Sequence, residues 1–330
     1  MNTDFAKIIG TGVYVPEKIV TNDDLSRILG EDINEFVTTV LGIHERHVCA
    51  ANESTADLAT NAARHALQAA RLNPGELDLI VLATDTPEQL SPATSVVVQH
   101  RLGAVNAGTF DVNCACAGFV TALDTASKFI IADSAYRNVL VVGAYAISKY
   151  LDLHDKKTAT IFADGAGAVV LQASDQPGFL AGKLVADGSF HDHMGIYAGG
   201  THLPVTREVL EEGIWTKVRF AKKYPAEVNT EGWPAIIEQV LDKSKLRLSD
   251  IKLFLFTQVN LSTIKEVMSK LDLPMERTHT IMQKWGYTGS ACIPMVLHDA
   301  VTAGKLKPGD NVIMCASGGG LNMACVAFRY

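Results

Sequence analysis

Cys116 stands in the run Asp111-Val-Asn-Cys-Ala-Cys-Ala-Gly-Phe119, which follows an apolar approach and opens a helical pattern through Phe119, Ala122 and Leu123. Small residues on both sides allow a sharp strand-to-helix turn that presents the sulfur at a helix N-terminus. Aligned peptide dipoles and free N–H groups favour a thiolate there. The same residues also fit a buried structural cysteine. Two features favour nucleophilic chemistry. Ser317-Gly-Gly-Gly320 ends a buried strand, where backbone N–H groups can approach a ligand without Cβ interference, as an oxyanion hole requires. An internal repeat also puts Cys116 and Gly289 at equivalent turns of two halves, so a site between those turns is expected.

Metal and redox chemistry have weaker signals. The six cysteines, Cys49, Cys114, Cys116, Cys292, Cys315 and Cys325, mostly lie in apolar segments and lack paired CxxC spacing. Cys114 and Cys116 are two apart, but nothing elsewhere completes a ligand set. His191, Asp192, His193 and His202 fall in a polar stretch that reads as a solvated loop or as the carrier of a moving base, and their spacing is nonspecific for a metal. His298, on an apolar helical pattern, reads as a core or surface residue rather than a catalytic one. Neither a metal nor another cofactor is expected.

The elements that must position these groups follow an α/β pattern. Strand-like runs at 78–84 and 139–143 alternate with helical stretches at 56–70 and 119–132. Leu72-Asn-Pro-Gly-Glu-Leu-Asp-Leu-Ile-Val-Leu-Ala-Thr84 lies over Leu246-Arg-Leu-Ser-Asp-Ile-Lys-Leu-Phe-Leu-Phe-Thr-Gln258, and Asn138-Val-Leu-Val-Val over Asn311-Val-Ile-Met-Cys. The chain therefore reads as a duplication, with halves 1–175 and 176–330 fused into one body because no Pro/Ser-rich or charged linker separates them. Residues 191–231 are polar, hold several Gly and Pro, and are expected to form a lid or substrate-side excursion.

With 330 residues, 48% hydrophobic and 20% charged, the chain can bury a large core. A net charge of −7 excludes the clustered basic footprint of a nucleic-acid binder. No uninterrupted apolar run is long enough to span a bilayer, and the opening residues lack the pattern of a signal peptide, so a cytoplasmic enzyme is expected.

Asp111 to Phe119 resembles the nucleophile segment of the β-ketoacyl-acyl-carrier-protein synthase III family of the thiolase superfamily, in which a cysteine directly precedes Ala-Gly-Phe. Gly42-Ile-His-Glu-Arg-His47, Phe162-Ala-Asp-Gly-Ala-Gly-Ala168, Asp187-Gly-Ser189 and Ser317-Gly-Gly-Gly320 are similar to family motifs in the same order. The resemblance implies a thiolase fold with two duplicated halves in a layered αβαβα body, a homodimer, and ping-pong chemistry. Acyl-CoA or an acyl-carrier protein would acylate Cys116, and a second substrate would then take the acyl group. It implies an oxyanion hole from the backbone of Cys116 and Gly319, and substrate contacts at Gln258, Asn260 and Gly318.

The likeness has gaps where the second half-reaction is decided. The family's active-site His is matched by Thr257 and its Asn by Tyr287. Each hydroxyl donates one hydrogen bond, but neither is a cation or a base near neutral pH. The family's adenine-binding Trp and its companion Arg are matched by Phe36 and Val40, which leaves an aromatic face and removes a positive charge. An Arg for carrier-protein docking is matched by Ser262. Ser91, in the segment that lines the partner's acyl pocket in the family, is small and leaves room for a longer or branched chain, while nearby Glu88 reads as an exposed loop acid. The expected activity is transfer of the acyl group from Cys116 to a small-molecule alcohol, amine or unusual carbon nucleophile. Conventional decarboxylative condensation and a weakly active partner subunit are the alternatives.

Overall fold

The computed structural model describes residues 5–330. Its strands gather into two main sheets whose topologies repeat. The larger contains β1 (Phe5–Tyr14), β2 (Leu79–Ala83), β3 (Gly108–Val112), β4 (Asn138–Tyr145) and β5 (Gly165–Ser174), in the order β1-β5-β4-β2-β3. The smaller contains β6 (Phe179–Ala186), β7 (Leu253–Phe256), β8 (Asn311–Gly318) and β9 (Asn322–Arg329), in the order β7-β8-β9-β6. In both, a parallel pair (β2 with β4, β7 with β8) is extended by two antiparallel strands. The segments that match in sequence are the parallel pairs, each first strand preceded by a single 3-10 turn, Pro74–Glu76 or Leu248–Asp250.

The apolar runs Leu79-Ile-Val-Leu-Ala83 and Leu253-Phe-Leu-Phe256 are buried at every position. That is the pattern of parallel strands covered on both faces. Helices α1 (Thr55–Ala70) and α3 (Glu227–Ser244) cover the outer faces of the larger and smaller sheets. Between the sheets lie α2 (Gly118–Ala132) and α5 (Cys292–Thr302), so the body has the order helix, sheet, helix, sheet, helix. A fifth helix, α4 (Leu261–Lys270), packs beside α3.

Helix α2 shows why composition alone misleads. The stretch Ala115–Ala132 is by length and composition alone apolar enough to cross a membrane, although Asp124 and Lys128 interrupt it. Here it touches both sheets, and Phe119, Val120, Leu123 and Ile130 have no exposed surface. A helix with so broad an apolar surface belongs in a core of this kind, with Lys128 reaching solvent and pairing with Asp124.

Segment 191–231 is more ordered than its composition suggests. Met194–Gly195 pairs antiparallel with Arg219–Phe220, Arg207–Glu212 is helical with Thr206 as its N-cap, and the last residues already form the first turn of α3. Local capping and one short pairing supply the order that hydrophobic periodicity does not announce.

The inner helices sit unusually close to the strands. A Cβ added to Gly143 on β4 would lie 2.4 Å from the carbonyl oxygen of Ser290 and 3.2 Å from Pro294 Cγ. Ser290 Oγ donates to Ala144 O at 2.9 Å across the same contact. Because the obstructing atom is backbone, Gly143→Ala must push the start of α5 away from the sheet. We expect it to lower unfolding stability by about 1–3 kcal/mol, read as a lower urea midpoint with an unchanged slope.

Candidate active site

The site forms where strands end. Asn113, Tyr145, Thr257 and Gly318 lie at the carboxyl ends of parallel strands β3, β4, β7 and β8, the edge of an α/β sheet where ligands bind. After β3 the chain turns sharply through Ala115, whose φ is +47°, and then enters α2. Ala117 N–H donates to Cys114 O at 3.1 Å and Gly118 N–H to Ala115 O at 2.9 Å, closing the turn around Cys116. Asp111 is spent on scaffolding, accepting the N–H groups of Thr94 and Ser95 at 2.6 and 2.8 Å at the start of the helix Thr94–Leu102.

The second half reaches this turn through Gly318. A Cβ there would stand 2.6 Å from both Cys114 O and Cys116 N. Only glycine lets the end of β8 lie against the nucleophile's own peptide. Gly318 and Gly319 border, with Cys116, Thr257, Tyr287 and Ser317, a cavity of about 160 Å³. Its lining contains no His, Lys, Arg, Asp or Glu.

Thr257 and Tyr287 thus meet Cys116, as their positions in the sequence suggest, but their hydroxyls are used differently. Thr257 Oγ1 accepts the N–H of Ser317 at 3.0 Å, and its own hydrogen faces Ser317 O at 3.5 Å, tying β7 to the end of β8. The Tyr287 backbone is clamped by a bond from its N–H to Ile161 O at 3.1 Å and by one from Ala163 N–H to its carbonyl at 2.9 Å. Its ring stacks on Phe162 with centroids 5.7 Å apart, and its hydroxyl hydrogen-bonds the Cys116 thiol. Gly289, expected at the site, instead packs on the Tyr145 ring, where a Cβ would approach carbon to 2.6 Å.

The thiolate expected at the helix N-terminus is not favoured in this structure. Cys116 is only 3% exposed, and burial pushes its thiol well above the ordinary value. The charge of Asp85 adds to that rise, while the Tyr287 hydrogen bond opposes it. Tyr145, Tyr287 and Cys292 are all buried close by and are likewise raised, chiefly by desolvation. The neighbourhood therefore holds several acids in their neutral forms and supplies no cation to stabilise an anion.

Gln258 and Asn260 are engaged by the fold, and neither borders the Cys116 cavity. Gln258 is fully buried, with Nε2 donating to Phe256 O at 2.8 Å and Oε1 accepting Ile281 N–H at 2.9 Å, so its amide cross-links core backbone. Asn260 caps α4, its Oδ1 accepting Ser262 N–H at 2.9 Å and Ser262 Oγ–H at 2.7 Å. Both have the side chain that a binding site uses, but nearby unpaired backbone groups claim it first.

Phe36 is 52% exposed and heads a separate surface groove of about 610 Å³. Lys156, Lys157, Lys222 and Lys223 line that groove. The positive charge missing at Val40 is thus supplied from two other segments, which a comparison of single positions cannot reveal. Phe220 and Tyr224 border both this groove and the Cys116 cavity. Ser91 is on the surface and does not border the Cys116 cavity within the chain. Glu88 is structural, its Oε2 accepting Ala56 N–H at 3.0 Å at the start of α1.

The histidines are spread apart. His298 Nδ1 meets Thr11 Oγ1 at 2.9 Å, on the far side of α5 from the nucleophile turn, and burial lowers its pKa. His193 packs against Phe190 and Tyr224, Asp192 pairs with Lys222 at 2.5 Å, and His202 is exposed. Among the described residues no group of three or more His, Cys, Asp or Glu is placed to hold a metal ion.

Sequence reasoning missed Asp85, Asn229 and the aromatic pair Phe220 and Tyr224. Asp85 had one available signal, an acid two residues beyond the buried strand β2 at the sheet's carboxyl edge. Asn229 sits in the first turn of α3 and borders the Cys116 cavity with a buried Oδ1 that no protein group satisfies. Nothing in its local sequence marks it.

The family model for 3-oxoacyl-[acyl-carrier-protein] synthase III matches residues 110–188, and the model for the C-terminal part of the same synthase matches residues 241–330. The β-ketoacyl-[acyl-carrier-protein] synthase III of Methylococcus capsulatus is 37% identical over 329 residues, covering 99% of each chain. That of Aquifex aeolicus is 38% identical over 325 residues, covering 98% of this chain and 99% of its own. The crystal structure of the Aquifex aeolicus synthase superposes with a TM-score of 0.88 at 36% identity over 98% of this chain and all of its own. The Pseudomonas aeruginosa synthase superposes with a TM-score of 0.89 at 32% identity, over 99% of this chain and 98% of its own. With both family models matched and relatives about 37% identical over nearly the whole chain, the chain belongs to the 3-oxoacyl-[acyl-carrier-protein] synthase III family and has the thiolase fold.

Proposed function

We propose that the protein is an acyltransferase that forms an acyl thioester on Cys116 from acyl-CoA or acyl-carrier protein and passes it to an acceptor other than a malonyl-derived carbanion. The observation that carries this reading is the composition of the Cys116 cavity, which keeps the thiol and the glycine strand end but has no histidine.

In the first half-reaction the donor enters by the Phe36 groove, where the lysines meet its phosphates and Phe36 faces its base. Cys116 Sγ attacks the thioester carbonyl while the backbone N–H groups of Cys116 and Gly319 receive the oxyanion. The carbon–sulfur bond to the carrier breaks, and the carrier thiol leaves with the proton released by Cys116. The Tyr287 hydroxyl, already bonded to the thiol, stabilises negative charge on sulfur as the attack begins.

The second half-reaction differs from that of an ordinary synthase. Decarboxylation of a malonyl thioester needs donors aimed at the developing enolate oxygen. Thr257 already holds Ser317, and Tyr287 brings a single O–H. An alcohol or amine acceptor needs only to reach the acyl carbonyl and form its bond there while the carbon–sulfur bond breaks and its proton passes to the departing Cys116 sulfur. Conventional condensation is the second reading, favoured by about 37% identity to synthases over the whole chain and by the Tyr287 hydroxyl beside the thiol.

A second copy of the chain completes this reading. The open edge of the larger sheet is β3, none of whose residues is fully buried, and exposed Leu90, Val96 and Val105 are apolar side chains from neighbouring segments. An unprotected edge strand is a natural place for a symmetric partner. Sedimentation equilibrium should return twice the chain mass; a monomer at micromolar concentration would refute the dimer.

The acyl-enzyme is tested by intact-protein mass spectrometry with a panel of acyl-CoAs, followed by malonyl-CoA. The expected result is an adduct on wild type, absent from Cys116→Ala, that persists with malonyl-CoA and releases no carbon dioxide. Discharge with decarboxylation would favour conventional synthesis instead.

Because the Cys116 pKa lies above its usual value of 9.0, alkylation by iodoacetamide should still be climbing with pH at pH 9, as the thiolate fraction grows. Tyr287→Phe removes the hydrogen bond that lowers this pKa, so its profile should move to higher pH and its rate at pH 8 should fall. An unmoved profile would show that Tyr287 does not stabilise the thiolate.

A further inference from the structure

The nucleophile has space on two sides. On one, the Cys116 cavity shares Phe220 and Tyr224 with the lysine-lined surface groove. On the other, a cavity of about 250 Å³ opens beyond Ala115 and shares Met194 and Gly319 with the first. If the donor's carrier arm fills the groove side, the acyl chain must extend from the sulfur into this second cavity. That assignment rests on the acyl-enzyme reading above.

A pocket for a plain alkyl chain should be lined by carbon, and this one is not. Asp85, Asn113, Tyr145 and His191 all border it. Asn113 Oδ1 is occupied by the N–H of Ala115 at 3.2 Å. Asp85 Oδ1, by contrast, is buried and no protein group hydrogen-bonds it. Desolvation pushes its carboxyl up to about 7, in keeping with an oxygen that no protein group hydrogen-bonds. An alkyl chain filling the cavity would strip away the remaining water and leave a polar oxygen without any partner, at a large cost.

We infer that the acyl group carried on Cys116 ends in a hydrogen-bond donor, a hydroxyl or an amine, which Asp85 accepts in the cavity beyond the nucleophile. Asp85 is thus a specificity residue for the acyl donor. The donor class is a hydroxyacyl or aminoacyl thioester rather than a simple fatty acyl one.

The test compares three donors of nearly equal shape, butanoyl-CoA, 3-hydroxypropanoyl-CoA and 3-aminopropanoyl-CoA. Second-order rates of Cys116 acylation are read by intact mass on wild type, Asp85→Asn and Asp85→Leu. Wild type should favour a polar donor over butanoyl-CoA by roughly tenfold or more, because a site built around a polar partner rejects the analogue lacking it. Asp85→Leu should lose or invert the preference. The nearly isosteric Asp85→Asn should keep a preference for the hydroxyl, since its amide oxygen still accepts, and lose one for the ammonium.

Ratios between donors on one protein do not depend on how much of a variant is folded. Equal or faster acylation by butanoyl-CoA on wild type, or a ratio unchanged in Asp85→Leu, would overturn the inference while leaving the acyl-enzyme intact. Absence of an adduct from every donor on wild type would overturn both.

Discussion

The structure depends on one steric fit, the approach of Gly318 to the peptide of Cys116. The first half supplies the nucleophile and the second half supplies the strand end that faces it, and they meet where a Cβ would stand 2.6 Å from Cys116 N. Contact this close requires β8 to end at one depth and no other. The Thr257 hydroxyl sets that depth by accepting Ser317 N–H from the neighbouring strand. Upstream, β7 and β8 run parallel in register from Leu253 opposite Val312 to Phe256 opposite Cys315, so the depth is inherited from the whole sheet. The replacement at position 257 therefore has a structural use as well as a chemical cost, since its hydroxyl holds the strand against which the nucleophile is placed.

Burial gives the site its precision and takes away its reactivity. Packing α2 between the sheets fixes the turn that carries Cys116, and the same packing excludes the water that would solvate a thiolate. The helix N-terminus offers at most about 2 kcal/mol to a nearby anion. Desolvation of a fully buried thiol outweighs that, and the Asp85 charge adds to it. Tyr287 is the one nearby side chain whose hydrogen bond pulls in the opposite direction. The free enzyme consequently holds its nucleophile protonated, and charge develops on sulfur mainly as the thioester is attacked.

Much of this was legible in the sequence where the constraint is local or repeated. The pairing of residues 72–84 with 246–258 exposed the duplication because parallel strands need uninterrupted apolar runs, and those runs proved to be β2 and β7. Cys116, Thr257, Tyr287 and the glycine run could be brought together by the family resemblance, and one cavity does contain them. The structural use of Gln258 and Asn260 was not legible because an amide side chain serves a ligand or a backbone equally well, and only the fold shows that Ile281 N–H and Ser262 N–H bond them. The lysines around Phe36 and the asparagine on α3 were illegible for a different reason. They come from segments distant in sequence and acquire meaning only when the groove exists.

The change of residues on the two sides of Cys116 forms one electrostatic pattern. A histidine in the cavity would provide a group able to carry positive charge opposite the thiol. With Thr257 and Tyr287 there instead, the ionisable groups closest to the sulfur are Asp85, Tyr145, Tyr287 and Cys292, every one an acid. Two neighbouring anions in a medium of low dielectric oppose each other strongly, so Asp85 and Cys116 do not readily ionise together. A ligand that brings an ammonium to Asp85 relieves this opposition, because its positive charge offsets the carboxylate's field at the sulfur as the thioester is attacked. Recognition of the acyl group and activation of the nucleophile would then draw on the same carboxylate, which gives a physical reason for an acid to stand beyond a cysteine that no base assists.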